Sequence, residues 1–205
     1  MPQRLKSEVR ERILAAAADV FAEHGYREAK LIEVAQRAAT ATSNIYKYYE
    51  NKEELFNAVV SPALAAQFLR LLRARIRELG RIEHWPDADA QGSEHARAFL
   101  DFCVENRLVV LILLQGAKGT RYAHIRSLVI NEMERLATAF LHRQDTTPHS
   151  NPHMQFILGK LFARTVETIA DILTEYEDAH STQNAFALFW RYQLAGLEAL
   201  LKEKT

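Results

Sequence analysis

The sequence predicts an all-α fold in which a small N-terminal helix-turn-helix domain of three helices precedes a larger helical domain. Three observations carry that prediction. Only seven glycines and five prolines interrupt 205 residues, and no stretch alternates apolar and polar residues between turn residues, as strands do. Apolar side chains instead recur at spacings of three and four along most of the chain, the signature of helices with one buried face. Two short helical segments, about Leu31 to Ala38 and Thr42 to Tyr49, are separated by the brief turn Ala39-Thr40-Ala41, which is helix-turn-helix spacing. The length suits a small module joined to a larger one, and we place the boundary between residues 1–52 and 53–205.

The first helix is predicted to start at a Ser7 cap, with Val9, Ile13, Ala16, Ala17 and Val20 on one stripe and Gly25 closing it. In the two short helices, Ile32, Ala35 and Ala38 are expected to face inward, and Ile45 and Tyr49, four apart, to anchor the second helix. Asn51 and Glu54 form a capping pair that opens a long helix to Gly80, bent at Pro62. Residues Arg81 to Gly92, with His84-Trp85-Pro86-Asp87, read as a loop. Helices follow from Ser93, from Asn106 to Gln115 and from Thr120 to Arg143. Gln144 to Pro152 is a polar loop, and helices from Pro152 to Glu177 and Thr182 to Lys202 complete the chain.

Composition bounds the function. The balance of 48% hydrophobic and 25% charged residues is that of a globular protein with a full core. Lys+Arg and Asp+Glu both number 26, so net charge favours neither nucleic acid nor a membrane surface, and only the placement of cations is informative. A single cysteine, Cys103, rules out an internal disulfide and fits a reducing cytoplasm. The longest apolar run, Leu108 to Leu114, is too short to span a bilayer. There is no phosphate-cradling glycine loop, nucleophile elbow or zinc-ligand spacing, so an enzyme is not expected.

The stretch from Leu31 to Lys52 is the most informative. With Ile45 and Tyr49 turned inward, Thr42, Ser43, Asn44, Tyr46, Lys47 and Tyr48 point outward, and their hydroxyls, amide and ammonium are groups that bond phosphates and base edges. Lys52 adds a cation beside the amides of the next helix. Lys30, Lys47 and Lys52 cluster around the short helices, while Arg4, Lys6 and Arg10 form an N-terminal arm. On these residues alone, a polar, tyrosine-bearing face left in water accounts for the pattern equally well.

Residues Val9 to Val60 resemble the DNA-binding region of the TetR family of regulators. The matching pieces are Ile13-Leu14-Ala15-Ala16-Ala17, Val20-Phe21, Gly25-Tyr26, Val34-Ala35, Asn44-Ile45-Tyr46-Lys47-Tyr48-Tyr49 and Asn51-Lys52-Glu53-Glu54-Leu55-Phe56. The resemblance implies phosphate contacts from Tyr46 and Lys52, and Thr42, Ser43, Asn44, Lys47 and Tyr48 facing the groove. It further implies a cytoplasmic homodimer that binds double-stranded operator DNA and senses a small-molecule effector, usually as a repressor, without a cofactor. Two places depart from the family pattern. The turn Ala39-Thr40-Ala41 lacks the usual glycine, at a cost of about 1 kcal/mol, and moves the cap to Thr40 or Thr42. Lys30-Leu31 replaces a threonine pair, so that Lys30 substitutes charge for a hydroxyl.

The C-terminal domain carries weaker signals. The last two helices present Leu158, Leu161, Phe162, Thr165, Ile169, Ile172 and Leu173, and Phe186, Phe189, Trp190, Gln193, Leu194, Leu197 and Leu201. Pairing with a second copy as a four-helix bundle would bury them, and packing within one subunit is the alternative. An effector pocket is assigned to Phe99, Phe102, Cys103, Leu111, Gln115, Tyr122, His124, Arg126, Met133 and Phe162, which an ordinary core explains equally. Cys103 reads as a small buried hydrophobe. His142, His149 and His153 lack the spacing of a metal site. A helical adaptor that has lost DNA affinity is the competing function, and salt-dependent retention on DNA separates the two.

Overall fold

The computed structural model describes residues 2–82, Trp85, 93–143 and 152–202. Helices α1 (Pro2–Glu28), α2 (Leu31–Arg37), α3 (Thr42–Ile45), α4 (Lys52–Val59) and α5 (Pro62–Leu79) are followed by α6 (Glu94–Glu105) and α7 (Arg107–Leu111). A π-helical turn (Ile112–Gly116), α8 (Ile125–Arg143), α9 (Pro152–Glu175) and α10 (Ala179–Lys202) complete the order, and no strand occurs among the described residues. The chain forms two compact units. The first holds residues 1–66 together with Leu108–Ile125, and the second holds Gln67–Arg107 with residues 126–205. The division therefore differs from a cut at residue 52, because a mid-chain segment belongs with the N-terminal helices.

In the first unit, Ile13, Ala16, Ala17, Val20 and Phe21 bury one stripe of α1. Ser7 does not cap this helix. It lies inside it and donates to Glu11 Oε1 at 2.8 Å. Gly25 does break it, at φ 70° and ψ 166°, a region only glycine occupies without strain. Val34, Ala35 and Ala38 form the buried stripe of α2, whereas Ile32 is 58% exposed, contrary to the sequence expectation. Positions 34, 35 and 38 share one helical face, and 32 lies off it. An aromatic pedestal completes the core. Phe56 meets Phe21 at 5.2 Å and Tyr26 at 5.0 Å, both edge to face, and Tyr122 lies 6.4 Å away.

The expected helix from Asn51 to Gly80 is two helices. Asn51 caps α4 by accepting from the Glu54 amide at 2.8 Å. The chain then leaves helical geometry at Val60 and restarts with Pro62 as the first residue of α5. A proline there lacks an N–H the helix has no use for. Ser61 Oγ accepts from the Leu64 amide at 3.2 Å and fixes the restart.

In the second unit, Ser93 caps α6 as expected, accepting from Ala96 N at 3.0 Å. Phe68 packs against Phe99 and Phe102 at 6.0 and 6.3 Å. Trp85 is buried, its ring tilted against Phe140 at 4.5 Å, with its indole N–H donating to Leu79 O at 3.1 Å. Its amide donates to the buried carboxylate of Glu198, which also pairs with Lys202. Arg107 reaches the carbonyl of Leu173 at 2.7 Å and Glu177 at 3.3 Å. α10 starts three residues earlier than predicted, because Asp178 rather than Thr182 accepts the first-turn amide, from Ser181 at 2.8 Å. That backbone hydrogen bond holds the Asp178 carboxyl below its usual range.

Candidate nucleic-acid interface

The turn between α2 and α3 is built without glycine. Ala39 takes φ 49°, and the strain is held by backbone bonds from Thr40 N to Ala35 O at 2.9 Å and from Ala39 N to Gln36 O at 3.1 Å. Neither threonine becomes the cap of α3. Ala41 occupies that position with no side-chain bond, and Thr40 Oγ1 accepts from Asn44 Nδ2 at 2.9 Å. That bond occupies one donor of Asn44 inside the motif. α3 itself is shorter than predicted, ending at Ile45, with Tyr46 to Tyr48 in turns.

Ile45 and Tyr49 are buried as anchors. Around them Ser43, Tyr46 and Lys47 are exposed and Thr42, Asn44 and Tyr48 half-buried, with Tyr46 leaving 55% of its surface in water. Lys30 is exposed at the cap position of α2. Lys52 is held more closely than its residue type alone suggests. Its ammonium donates to Arg27 O at 3.1 Å and lies 4.9 Å from the centre of the Tyr26 ring. Burial holds its pKa below the ordinary lysine range, opposed by the nearby charge of Glu28. An ammonium has three donors, so Lys52 ties the end of α1 to the start of α4 and still faces outward.

Glu23, Glu33, His24 and Arg37 join α1 to α2. Arg37 donates to Glu23 and Glu33, both at 2.6 Å, and His24 Nε2 lies 3.0 Å from Glu33. The bond to His24, followed by that to Arg37, keeps the Glu33 carboxyl below its usual range. Carboxylates and imidazole here have the proximity of metal ligands, but the Arg37 guanidinium already bonds both carboxylates.

The pocket residues separate. Tyr122 belongs to the first unit, buried near Phe56, and Gln115 and His124 in the same unit are exposed. Phe102, Cys103, Met133 and Phe162 are buried in the second unit, where Phe99 is half-buried. Burial pushes the Cys103 thiol up to about 12, which makes it an inert apolar filler rather than a nucleophile. His153 is exposed, whereas His149 and the side chains of His142 and Arg4 lie outside the described residues.

The dimer face needs correction. Leu158, Phe162, Thr165, Ile169, Phe186, Leu194 and Leu197 are buried within the single chain, and Gln193 donates to Thr165 Oγ1 at 2.8 Å. Phe189 and Trp190 are half-buried, 5.3 Å apart. Of the expected stripe Leu161 is exposed at 37%, and the other exposed apolar residues of these helices are chiefly Phe156 at 63%, Leu188 at 60% and Tyr192 at 76%. Both faces of α9 and α10 carry apolar residues, and periodicity alone does not say which face its own subunit covers.

Residues 13–59, which contain this whole motif, match the family described as bacterial regulatory proteins, tetR family. These residues therefore carry the DNA-binding domain of that family. The HTH-type transcriptional regulator RutR of Escherichia coli is 24% identical over 158 residues, 76% of this chain and 72% of RutR. The fatty acid metabolism regulator protein of Bacillus subtilis is 32% identical over 66 residues, about a third of either protein (32% and 34%). A TetR-like transcriptional regulator from Rhodococcus sp. RHA1 shares the fold, with a TM-score of 0.50, 20% identity and coverage of 95% of this chain and 97% of that one. The chain is accordingly an all-α, DNA-binding transcriptional regulator and not an enzyme.

Proposed function

We propose that the chain is a cytoplasmic, homodimeric repressor that releases double-stranded operator DNA when a small molecule binds its second unit. The observation that carries the reading is α3 and the turn after it. Buried Ile45 and Tyr49 fix this stretch, and Ser43, Tyr46 and Lys47 stand free on its outer side. In the proposed complex Ser43, Asn44, Lys47 and Tyr48 meet the major groove, with Thr42 at the helix start. Tyr46, Lys30 and Lys52 bond phosphates. Two recognition helices about 34–36 Å apart meet successive major grooves, which requires a dimer. The exposed Phe156, Leu188 and Tyr192 support pairing of α9 and α10 with a second copy.

The chain passes between the units at residues 66–67, 107–108 and 125–126, and α5 contains the first crossing. Ligand binding in the second unit acts through α5, and affinity for ligand and DNA are reciprocally coupled by about 1–3 kcal/mol. The test uses duplexes selected from the source genome. Tyr46→Phe and Lys47→Ala weaken binding while the dimer, measured by sedimentation, stays intact. Wild-type affinity in both variants overturns the docking model.

A further inference from the structure

We infer that the mid-chain turn Lys118–Arg121 is a second contact with the DNA backbone, set beside the helix-turn-helix by the fold of the first unit. The inference rests on the reading that α3 enters the major groove, and it adds a phosphate-binding edge supplied by residues about seventy positions further along the chain.

One close backbone approach and one contact with an arginine side chain hold the turn in place. A Cβ on Gly116 would lie 2.9 Å from the Phe21 carbonyl oxygen and 3.3 Å from the Gly25 Cα, so only glycine lets the π-helical turn rest against the end of α1. Gly119, at φ 92°, lies against Arg27, whose Nε would stand 2.9 Å from an added Cβ. Tyr122 then enters the aromatic pedestal beside Phe56, and the Arg121 guanidinium covers its ring at 4.9 Å. The same Arg27 accepts the Lys52 ammonium on its carbonyl oxygen at 3.1 Å. Lys52, Arg27, Lys118 and Arg121 thus line one edge, continuous with the amino end of α4.

These cations differ from most in the second unit. Arg27, Lys118 and Arg121 are exposed and make no ion pair among the described residues. In the second unit Arg73, Arg75, Arg107, Arg126, Arg164 and Lys202 each hold a carboxylate. Glu28 is the acidic group that Lys52 senses nearby, and it leaves the edge net positive. A row of cations adjoining the amino end of α4 matches the repeating charge of a duplex backbone.

The test is the full-length Lys118→Ala/Arg121→Ala variant, titrated against a duplex selected from the source genome and a random duplex of equal length, over a range of salt. Both substitutions are at exposed positions, and an unchanged melting temperature establishes that the fold is kept. Affinity is expected to fall several-fold on both duplexes alike, with the slope of log K against log salt reduced by about one for each phosphate no longer neutralised. Arg164→Ala, in the second unit, is expected to change neither. The inference is overturned by wild-type affinity and slope in the double variant while Tyr46→Phe still weakens binding, or by a weakening confined to the selected sequence. If Tyr46→Phe and Lys47→Ala also bind as wild type, the groove-reading model itself fails.

Discussion

The two units differ in what their cations fasten. In the second, arginines fasten helices to one another: Arg73 to Glu132, Arg126 to Glu167 and Arg107 to the Leu173 carbonyl. In the first, Arg37 is tied down by Glu23 and Glu33, while Arg27, Lys30, Lys47, Lys118 and Arg121 have no carboxylate partner among the described residues. A chain with zero formal charge therefore still presents an unneutralised basic face. Net charge is a sum over the whole surface, whereas a polyanion interacts with the local field, which falls off within about 10 Å at moderate salt.

Each unit also supports its cations differently, and substitutions can break that contrast. The largest effect is expected from Phe56→Ala, which removes the ring shared by Phe21, Tyr26 and Tyr122. Stability measured by chemical denaturation should fall by about 3–5 kcal/mol, and DNA binding should disappear with it. A decrease below about 1 kcal/mol, far under the usual cost of such a truncation, means the pedestal does not support the reading head. Arg107→Ala should act on the second unit alone. It removes a charged hydrogen bond to the Leu173 carbonyl, costs about 1–2 kcal/mol in the same assay, and leaves DNA affinity unchanged. A variant that melts as wild type but binds DNA less well would reverse the proposed division of labour. Ala39→Gly should have the smallest effect. Relief of the positive φ is offset by the extra freedom of glycine in the unfolded chain, for a net gain of about 0.5 kcal/mol.

The helix-turn-helix is legible in the sequence because every signal in it is local. Asn51 and Glu54 form their cap three residues apart, Ile45 and Tyr49 anchor one helix face, and the positive φ at Ala39 follows from the turn length. Departures inside the motif are of the same local kind. Ile32 reads as an inward residue, although the buried stripe runs through Val34, Ala35 and Ala38. The cap at Ala41 uses no side chain. The dimer face and pocket are much less legible. Leu158, Phe162 and Ile169 look identical in sequence whether their own subunit or a partner covers them, and here their own subunit does. The only hint of the basic turn is Gly119 between Lys118 and Arg121, with no local spacing to tie it to Lys52.

The sequence by itself determined the helices, their order, the motif between Leu31 and Lys52 and the cations that motif carries. Capping, turn geometry and amphipathic period act within a few residues and need no knowledge of the rest of the chain. Only the tertiary structure decided which apolar face each long helix buries, where the helix after Asn51 breaks, and that residues 108–125 belong with the N-terminal helices. Those outcomes depend on surfaces far apart in the chain meeting one another. The meeting of Gly116 with Phe21 and Gly25 is such an event, set by steric fit between two backbones.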